Sequence, residues 1–433
     1  MAVGLLSLIA ASPAVAATEP VEPDCVGPAG DPAPGTAAWY QREAVNAYCG
    51  EQRAYDTASN PLFGAGWVQM QARHPGEDYR ADPFRDPLLL KGSRFRYRTV
   101  QVPSPNGGTI PGALFTPCDL TCVNRPPALG SFRPPYPGVV IVHGGAANQE
   151  MYLWAAEGLA EAGYMALTFQ LPEADNLGGG AHYDYARSAL DYFTSTPTAP
   201  AGGGAVNPGF SHLDRSRIGL AGHSAGGVAV SQLGQEDPRV SAIVSWDRAQ
   251  SGPMPADLAL RTPAMFQITD YLCQRSPVCV PQPYTSPPDP LGPGDKGEDF
   301  QRVSAAGVDS MQVAMRASTH LDYTQFSPGT GSRYGAAVAF YYTLAWFDRY
   351  LKQGRASRDA LARLVAARFD DSADVHNISG GRFDPATASN VPAFIAGQPA
   401  ADRLSFEFRS AYFLNGGRLA CADMRAGCPL RAP

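Results

Sequence analysis

Polar and apolar positions alternate through Phe95–Pro103, break at Ser104–Gly108 and alternate again through Thr109–Pro117. Period-two alternation on both sides of a Ser-Pro-Asn-Gly-Gly turn predicts an antiparallel hairpin. Further along, the pattern changes to short, nearly unbroken apolar runs separated by stretches with helical spacing. The runs Gly138–Gly145, Tyr164–Gln170, Arg217–Ser224, Arg239–Asp247, Thr262–Asp270 and Asp309–Thr319 predict strands buried on both faces. Helices are predicted over Glu150–Gly163, His182–Ser195, Ala225–Gln235 and Arg333–Gln353. Strands alternating with helices imply an α/β unit: a mostly parallel sheet with helices on both faces and the antiparallel hairpin at its N-terminal edge.

That unit occupies 93–355. Before it, 17–92 reads as an arm rich in proline, glycine and acidic residues with one helical segment, Ala37–Cys49. After it, 356–433 is a C-terminal extension in which Arg403–Leu414 has the composition of edge strands. Tyr271–Gly297 is dense in proline and lacks periodicity, and reads either as the wall of a ligand site or as a surface insertion. The sequence has no internal repeat.

Composition narrows the class. With 44% hydrophobic and 17% charged residues, the chain can bury a sizeable core. The net charge of −6 and the absence of any dense basic run argue against a nucleic-acid partner. Residues 1–16 are apolar and end in Ala14-Val15-Ala16, the form cut by signal peptidase, so a secreted protein with a cleaved signal peptide is expected. The apolar run Ala336–Phe347 is closely flanked by Arg333, Asp348 and Arg349, which fits a buried helix, and no transmembrane segment is expected in the mature chain. Eight cysteines fall as neighbours: Cys25 and Cys49, Cys118 and Cys122, Cys273 and Cys279, Cys421 and Cys428. In an exported chain that spacing predicts four local disulfides. No C-x-x-C occurs and the histidines are scattered, so no metal site is expected.

Gly222-His223-Ser224-Ala225-Gly226 is the stretch that carries chemistry. It fits G-x-S-x-G and lies between an apolar strand and a small-residue helix, where the glycines permit a sharp turn that lifts a serine hydroxyl above the sheet. Ser224 is therefore the candidate nucleophile. Backbone N–H groups for an oxyanion are expected from Ala225 at the helix start and from Gly145 or Ala146 in the loop after Gly138–Val142. His143 in that loop reads as structural. In sites of this kind the partners follow the nucleophile in chain order. That makes His320, just beyond the last predicted strand, the candidate base, ahead of His376 in the tail. Asp247 and Asp270 end the two intervening strands, and either is a candidate acid.

These pieces, GHSAGG, AIVSWDRA, TPAMFQITDY and MQVAMRASTH, resemble the α/β-hydrolase superfamily over about Phe95–Lys352, and within it the platelet-activating-factor acetylhydrolases and related bacterial esterases. That resemblance implies the α/β-hydrolase fold and Asp247 as the acid. The chain is also similar to secreted lipases and polyesterases of the cutinase type, which implies Asp270 instead. Either way the implied protein is a secreted serine hydrolase that cleaves carboxylic esters through an acyl-enzyme. It would need no cofactor, and its substrate would be a small-molecule, lipid or polymer ester. A serine peptidase or amidase is the alternative enzyme. A catalytically dead binding protein is the alternative from another class, disfavoured by the complete set Ser224, His320 and an available Asp. Trp246, Tyr271 and Tyr323 either line the mouth of the site, which would favour an apolar acyl or aromatic group, or belong equally well to the core.

Overall fold

A computed structural model describes residues 95–117, 132–176, 180–248, 254–271, 297–324, 335–372, 381–384, 389–392, 395–405 and 408–428. The expected signal peptide, the arm and its helix, six of the cysteines, the proline-dense stretch and His376 lie outside the described residues.

The hairpin forms as the alternation requires. Strands β1 (Phe95–Pro103) and β2 (Thr109–Pro117) pair antiparallel, with Pro103 opposite Thr109 across the turn. The apolar runs become β3 (Tyr136–Val142), β4 (Met165–Phe169), β5 (Leu213–His223), β6 (Val240–Trp246), β7 (Ala264–Tyr271) and β8 (Ser310–Thr319). All six pair parallel, in the order β4-β3-β5-β6-β7-β8. β2 adds antiparallel to β4, placing the hairpin at one edge. At the other edge β11 (Ala411–Leu414) pairs antiparallel with β8, and β12 (Leu419–Cys421) with β11. A separate small hairpin joins β9 (Gly381–Asp384) and β10 (Ser389–Pro392). The chain is thus an α/β protein with a mostly parallel mixed sheet, and the segment beyond residue 355 contributes its far edge.

The helices cover both faces because β3 and its neighbours are apolar on both. Val139 and Ile141 of β3 join the core beneath α1 (Leu153–Glu161) and α6 (Gly335–Leu351). Val140 and Val142 join the opposite core, beneath α3 (Ala181–Thr194) and α4 (Ala225–Glu236). All four side chains are at most 1% exposed, and burial on this scale contributes about 1.5–3 kcal/mol per aliphatic side chain. A single turn, α2 (Glu173–Asn176), and two further helices, α5 (Glu298–Ala305) and α7 (Gly354–Leu364), complete the helical set among the described residues. None of these helices is long and apolar enough to cross a membrane.

Cys421 and Cys428 form the expected disulfide, closing the turn after β12. A loop this short removes little unfolded-state entropy, and the chain-entropy relation gives about 2 kcal/mol. Cys421→Ala with Cys428→Ala is therefore expected to lower the melting temperature by a few degrees, measured by calorimetry.

The strand order directs attention to one point. From β3 the chain moves to β4 on one side, while β5 lies on the other. A sheet of this kind opens a crevice where the order reverses, at the C-terminal ends of the two strands concerned. Those ends carry His143 and Gly144 after β3, and Ser224 after β5.

Candidate active site

Ser224 follows directly on β5 and precedes the first residue of α4, with φ 53° and ψ −120°. Few non-glycine residues adopt a positive φ, and such strain of about 1–3 kcal/mol persists only where the surroundings impose it. Two features impose it here. The Ser224 N–H is bound to the Trp246 carbonyl of β6 at 2.9 Å. The helix also starts so abruptly that Gly222 and Gly226 nearly touch: a Cβ on Gly222 would lie 2.4 Å from the Gly226 oxygen. A Cβ on Gly226 would lie 2.3 Å from the Val142 oxygen and 2.4 Å from the His143 oxygen. These neighbours are backbone of a central strand and cannot move aside. Gly226→Ala is expected to cost about 3 kcal/mol or more, read as a sharply lowered denaturation midpoint or as insoluble protein.

His320 opens a short 3-10 turn, His320–Tyr323, immediately after β8. Its Nδ1 lies 2.6 Å from Asp247 Oδ2. Because Asp247 accepts there, Nδ1 carries the proton and the basic lone pair of neutral His320 sits on Nε2. The ring of His320 lies 4.4 Å, centroid to centroid, from that of His223, the residue before Ser224. The structure therefore brings the base candidate to the nucleophile candidate's turn.

Asp247 follows directly on β6 at φ 44° and is 1% exposed. Thr269 of β7 donates to it twice, from N–H to Oδ1 at 3.2 Å and from Oγ1 to Oδ2 at 2.8 Å. The Asp247 N–H is bound to the Gln267 carbonyl at 2.7 Å. The next residue, Arg248, is buried and paired with Asp299 of α5. Asp299 in turn accepts the Met254 N–H at 3.0 Å, so the chain leaving Asp247 is pinned on both sides. Asp270, the other acid candidate, lies near the end of β7, and its side chain is outside the described residues.

The loop after β3 separates the two amide candidates. The Ala146 N–H is taken by the Asn176 carbonyl at 3.1 Å, and the Asn176 side chain donates to the Ala147 carbonyl at 2.7 Å. The Ala147 N–H turns back to the Gly144 carbonyl at 3.3 Å. The Gly144 N–H donates to the Tyr152 hydroxyl at 3.2 Å. Among the described residues, the Gly145 amide alone in this run has no such partner. Gly145 is exposed, and a Cβ placed on it would lie 3.9 Å from the Ala225 Cβ. The Ala225 amide, first in its helix, has no intrahelical acceptor and stands at the positive end of the dipole.

His143 is structural, as its position implies. Its Nε2 accepts the Leu171 N–H at 3.0 Å, and its Nδ1 donates to the Gly144 carbonyl at 2.8 Å. Burial lowers its pKa to about 4 and keeps it neutral.

Of the aromatics that fit either the lining of the site or the core, Trp246 and Tyr323 belong to the core. Trp246 and Tyr323 are 0% exposed and stack 6.4 Å apart, and Trp246 packs against Trp154 at 5.2 Å. They face the covered side of the sheet because Trp246 is the last residue of an inner strand beneath α1 and α6. The Tyr271 side chain lies outside the described residues.

Two contributors had no sequence signal. Thr269 was one apolar-run residue among many. Tyr152 read as part of the buried helix face, yet its hydroxyl meets both the Gly144 amide and, at 2.7 Å, His223 Nδ1. Among the described residues, no group of three or more His, Cys, Asp or Glu is arranged to hold a metal ion.

No protein-family model matches the chain. Over 240 residues it is 30% identical to Hydrolase LUC6 of a Fusarium species, an alignment covering 50% of this chain and 52% of that protein. The chain thus spans about half the length of the curated relative it matches.

Proposed function

We propose that the chain is a secreted serine hydrolase of the α/β-hydrolase fold that cleaves carboxylic esters, with Ser224 as nucleophile, His320 as base and Asp247 as acid. The observation that carries this reading is the 2.6 Å bond from His320 Nδ1 to buried Asp247, with the His320 ring packed against His223, the residue before a strained serine at a helix start. The parallel sheet with its switch of order between β3 and β5, and the likeness to a hydrolase, support it further.

In this mechanism His320 Nε2 takes the Ser224 proton as Oγ bonds to the ester carbonyl carbon. Asp247 holds the ring and stabilises the imidazolium. The carbonyl oxygen, now negative, is met by the Ala225 and Gly145 amides. The tetrahedral adduct collapses, the C–O bond to the alcohol breaks, and His320 returns the proton to the departing alkoxide. Water activated by the same imidazole then cleaves the acyl-enzyme.

The test is covalent. A fluorophosphonate is expected to add once to the folded protein, on the peptide holding Ser224, as seen by mass spectrometry. A folded protein that stays unlabelled would remove the enzyme reading. Initial rates on p-nitrophenyl esters from acetyl to palmitoyl then sort the substrate: a short-chain maximum fits small esters, and a long-chain maximum fits lipid or polyester substrates. Turnover of anilides at rates comparable to esters would replace the esterase reading with the amidase one.

A further inference from the structure

The x position of the G-x-S-x-G turn is a buried histidine, His223, 3% exposed, to which the mechanism above gives no task. Its surroundings fix its state. Burial, together with the neighbouring His320, holds its pKa well below the usual histidine range, so it is neutral. Tyr152, wholly buried, has its pKa raised by burial and keeps its proton. The Gly144 N–H already donates to the Tyr152 oxygen, so the hydroxyl hydrogen must find another acceptor. His223 Nδ1, 2.7 Å away, is that acceptor. The proton of His223 therefore sits on Nε2. That nitrogen makes no well-formed hydrogen bond among the described residues.

The chain of contacts runs from the Gly144 amide, through the Tyr152 hydroxyl, to the His223 ring, which packs at a tilt against that of His320. Both ends of it are parts of the candidate site. Gly144 precedes the amide that would meet the oxyanion, and a Cβ on Gly144 would lie 3.1 Å from the Ser224 Cβ. The start of α1 reaches the base turn a second time, where Trp154 Nε1 donates to the Tyr323 carbonyl at 2.9 Å. A phenylalanine would fill the space of Tyr152 equally well; the hydroxyl adds only the two bonds to the site.

We propose that Tyr152 and His223 are positioning residues: the hydroxyl-to-imidazole bond between them sets the Gly144–Gly145 amides against Ser224 and His320 so that the oxyanion is met in register. This rests on the serine-hydrolase reading above. Displacement of such donors is expensive, because an amide is effective only within about 0.5 Å of the oxyanion's place and removing one outright costs about 10²–10³ in kcat.

The test is Tyr152→Phe, assayed on an O-aryl ester and on its thionoester, with active sites counted by the fluorophosphonate burst. The expected kcat per active site on the ester falls about 10- to 100-fold with KM within about twofold. Sulfur accepts hydrogen bonds weakly, so the thionoester rate falls much less and the ester-to-thionoester preference narrows about tenfold. A merely structural role would lower the active fraction and leave that preference unchanged. His223→Asn, whose Oδ1 takes the place of Nδ1, is expected to recover at least half of the logarithmic loss shown by His223→Phe. An active wild type with an unchanged ester-to-thionoester preference in Tyr152→Phe overturns the proposal alone. A wild type inert to both ester and fluorophosphonate overturns it together with the serine-hydrolase reading. Should Tyr152→Phe fail to fold, the His223→Asn and His223→Phe pair decides: equal preference ratios in the two overturn the proposal.

Discussion

Ser224→Ala is expected to lower ester turnover by about 10⁵-fold while leaving the thermal midpoint within a few degrees of wild type. The two halves of that result have separate causes. The hydroxyl does no structural work: Ser224 stands at the N-cap of α4, yet its side chain makes no capping bond. The strain at φ 53° is a property of the backbone, fixed by the Ser224 N–H to Trp246 bond and by the glycines on either side, and alanine bears it equally. Stability is therefore nearly unchanged. Catalysis is not, because the attacking atom is gone and no covalent intermediate can form. What survives is the power of the Ala225 and Gly145 amides and of His320 acting on water, a residual of about 10³–10⁴ over the uncatalysed rate. The measurement is kcat/KM on the best p-nitrophenyl ester with circular dichroism melting on the same preparation. A variant retaining more than about a hundredth of wild-type turnover would assign the nucleophile elsewhere.

How far the sequence could be read shows which physics is local. The hairpin, the six parallel strands and the helices α1, α3, α4 and α6 follow from periodicity, because burial on one face or two leaves its mark within a few residues. The G-x-S-x-G turn is partly local: Gly222 answers a contact with Gly226 four positions on, whereas Gly226 answers the backbone of Val142 and His143 at the end of the neighbouring strand β3. Other features depend on which strands lie side by side. Tyr152 meets His223 only because β3 and β5 are neighbours, and nothing near Tyr152 in the chain announces this. Thr269 meets Asp247 through the parallel register of β6 and β7, where Trp246 stands opposite Gln267. The choice between Gly145 and Ala146 turns on Asn176, which is reached through the short α2 turn. The helix α5 follows the proline-dense stretch and was not anticipated. The role of Arg403–Leu414 was, since β11 extends the sheet beside β8. Trp246 and Tyr323 illustrate an ambiguity that sequence leaves: aromatic residues near catalytic ones fit lining and core equally, and the direction of the strand turns these two into the core.

The second large effect separates the two acid candidates. Asp247→Asn is expected to cost about 10⁴ in kcat, whereas Asp270→Asn is expected to stay within about threefold of wild type. Asparagine fits the Asp247 position well. It has the same shape, and with aspartate it is among the residues that best tolerate a positive φ such as 44°. The hydrogen bonds then decide its orientation. The Thr269 N–H can only donate, so the asparagine oxygen stays where Oδ1 accepts it at 3.2 Å. The amide nitrogen must take the place of Oδ2, next to Thr269 Oγ1 and His320 Nδ1. The threonine hydroxyl can reverse and accept. His320 can also accept there, but only by moving its proton to Nε2, the atom that must receive the proton of Ser224. The variant is therefore folded, correctly shaped and locked in the wrong tautomer, and it also lacks the charge that stabilises the imidazolium. Its KM should change little and its melting temperature by only a few degrees, which distinguishes the loss from unfolding. Asp270 ends the adjacent strand, and the base already has its carboxylate in Asp247. Crippled turnover in Asp270→Asn beside a largely active Asp247→Asn would reverse the assignment and favour the cutinase-type arrangement, with the acid one strand later.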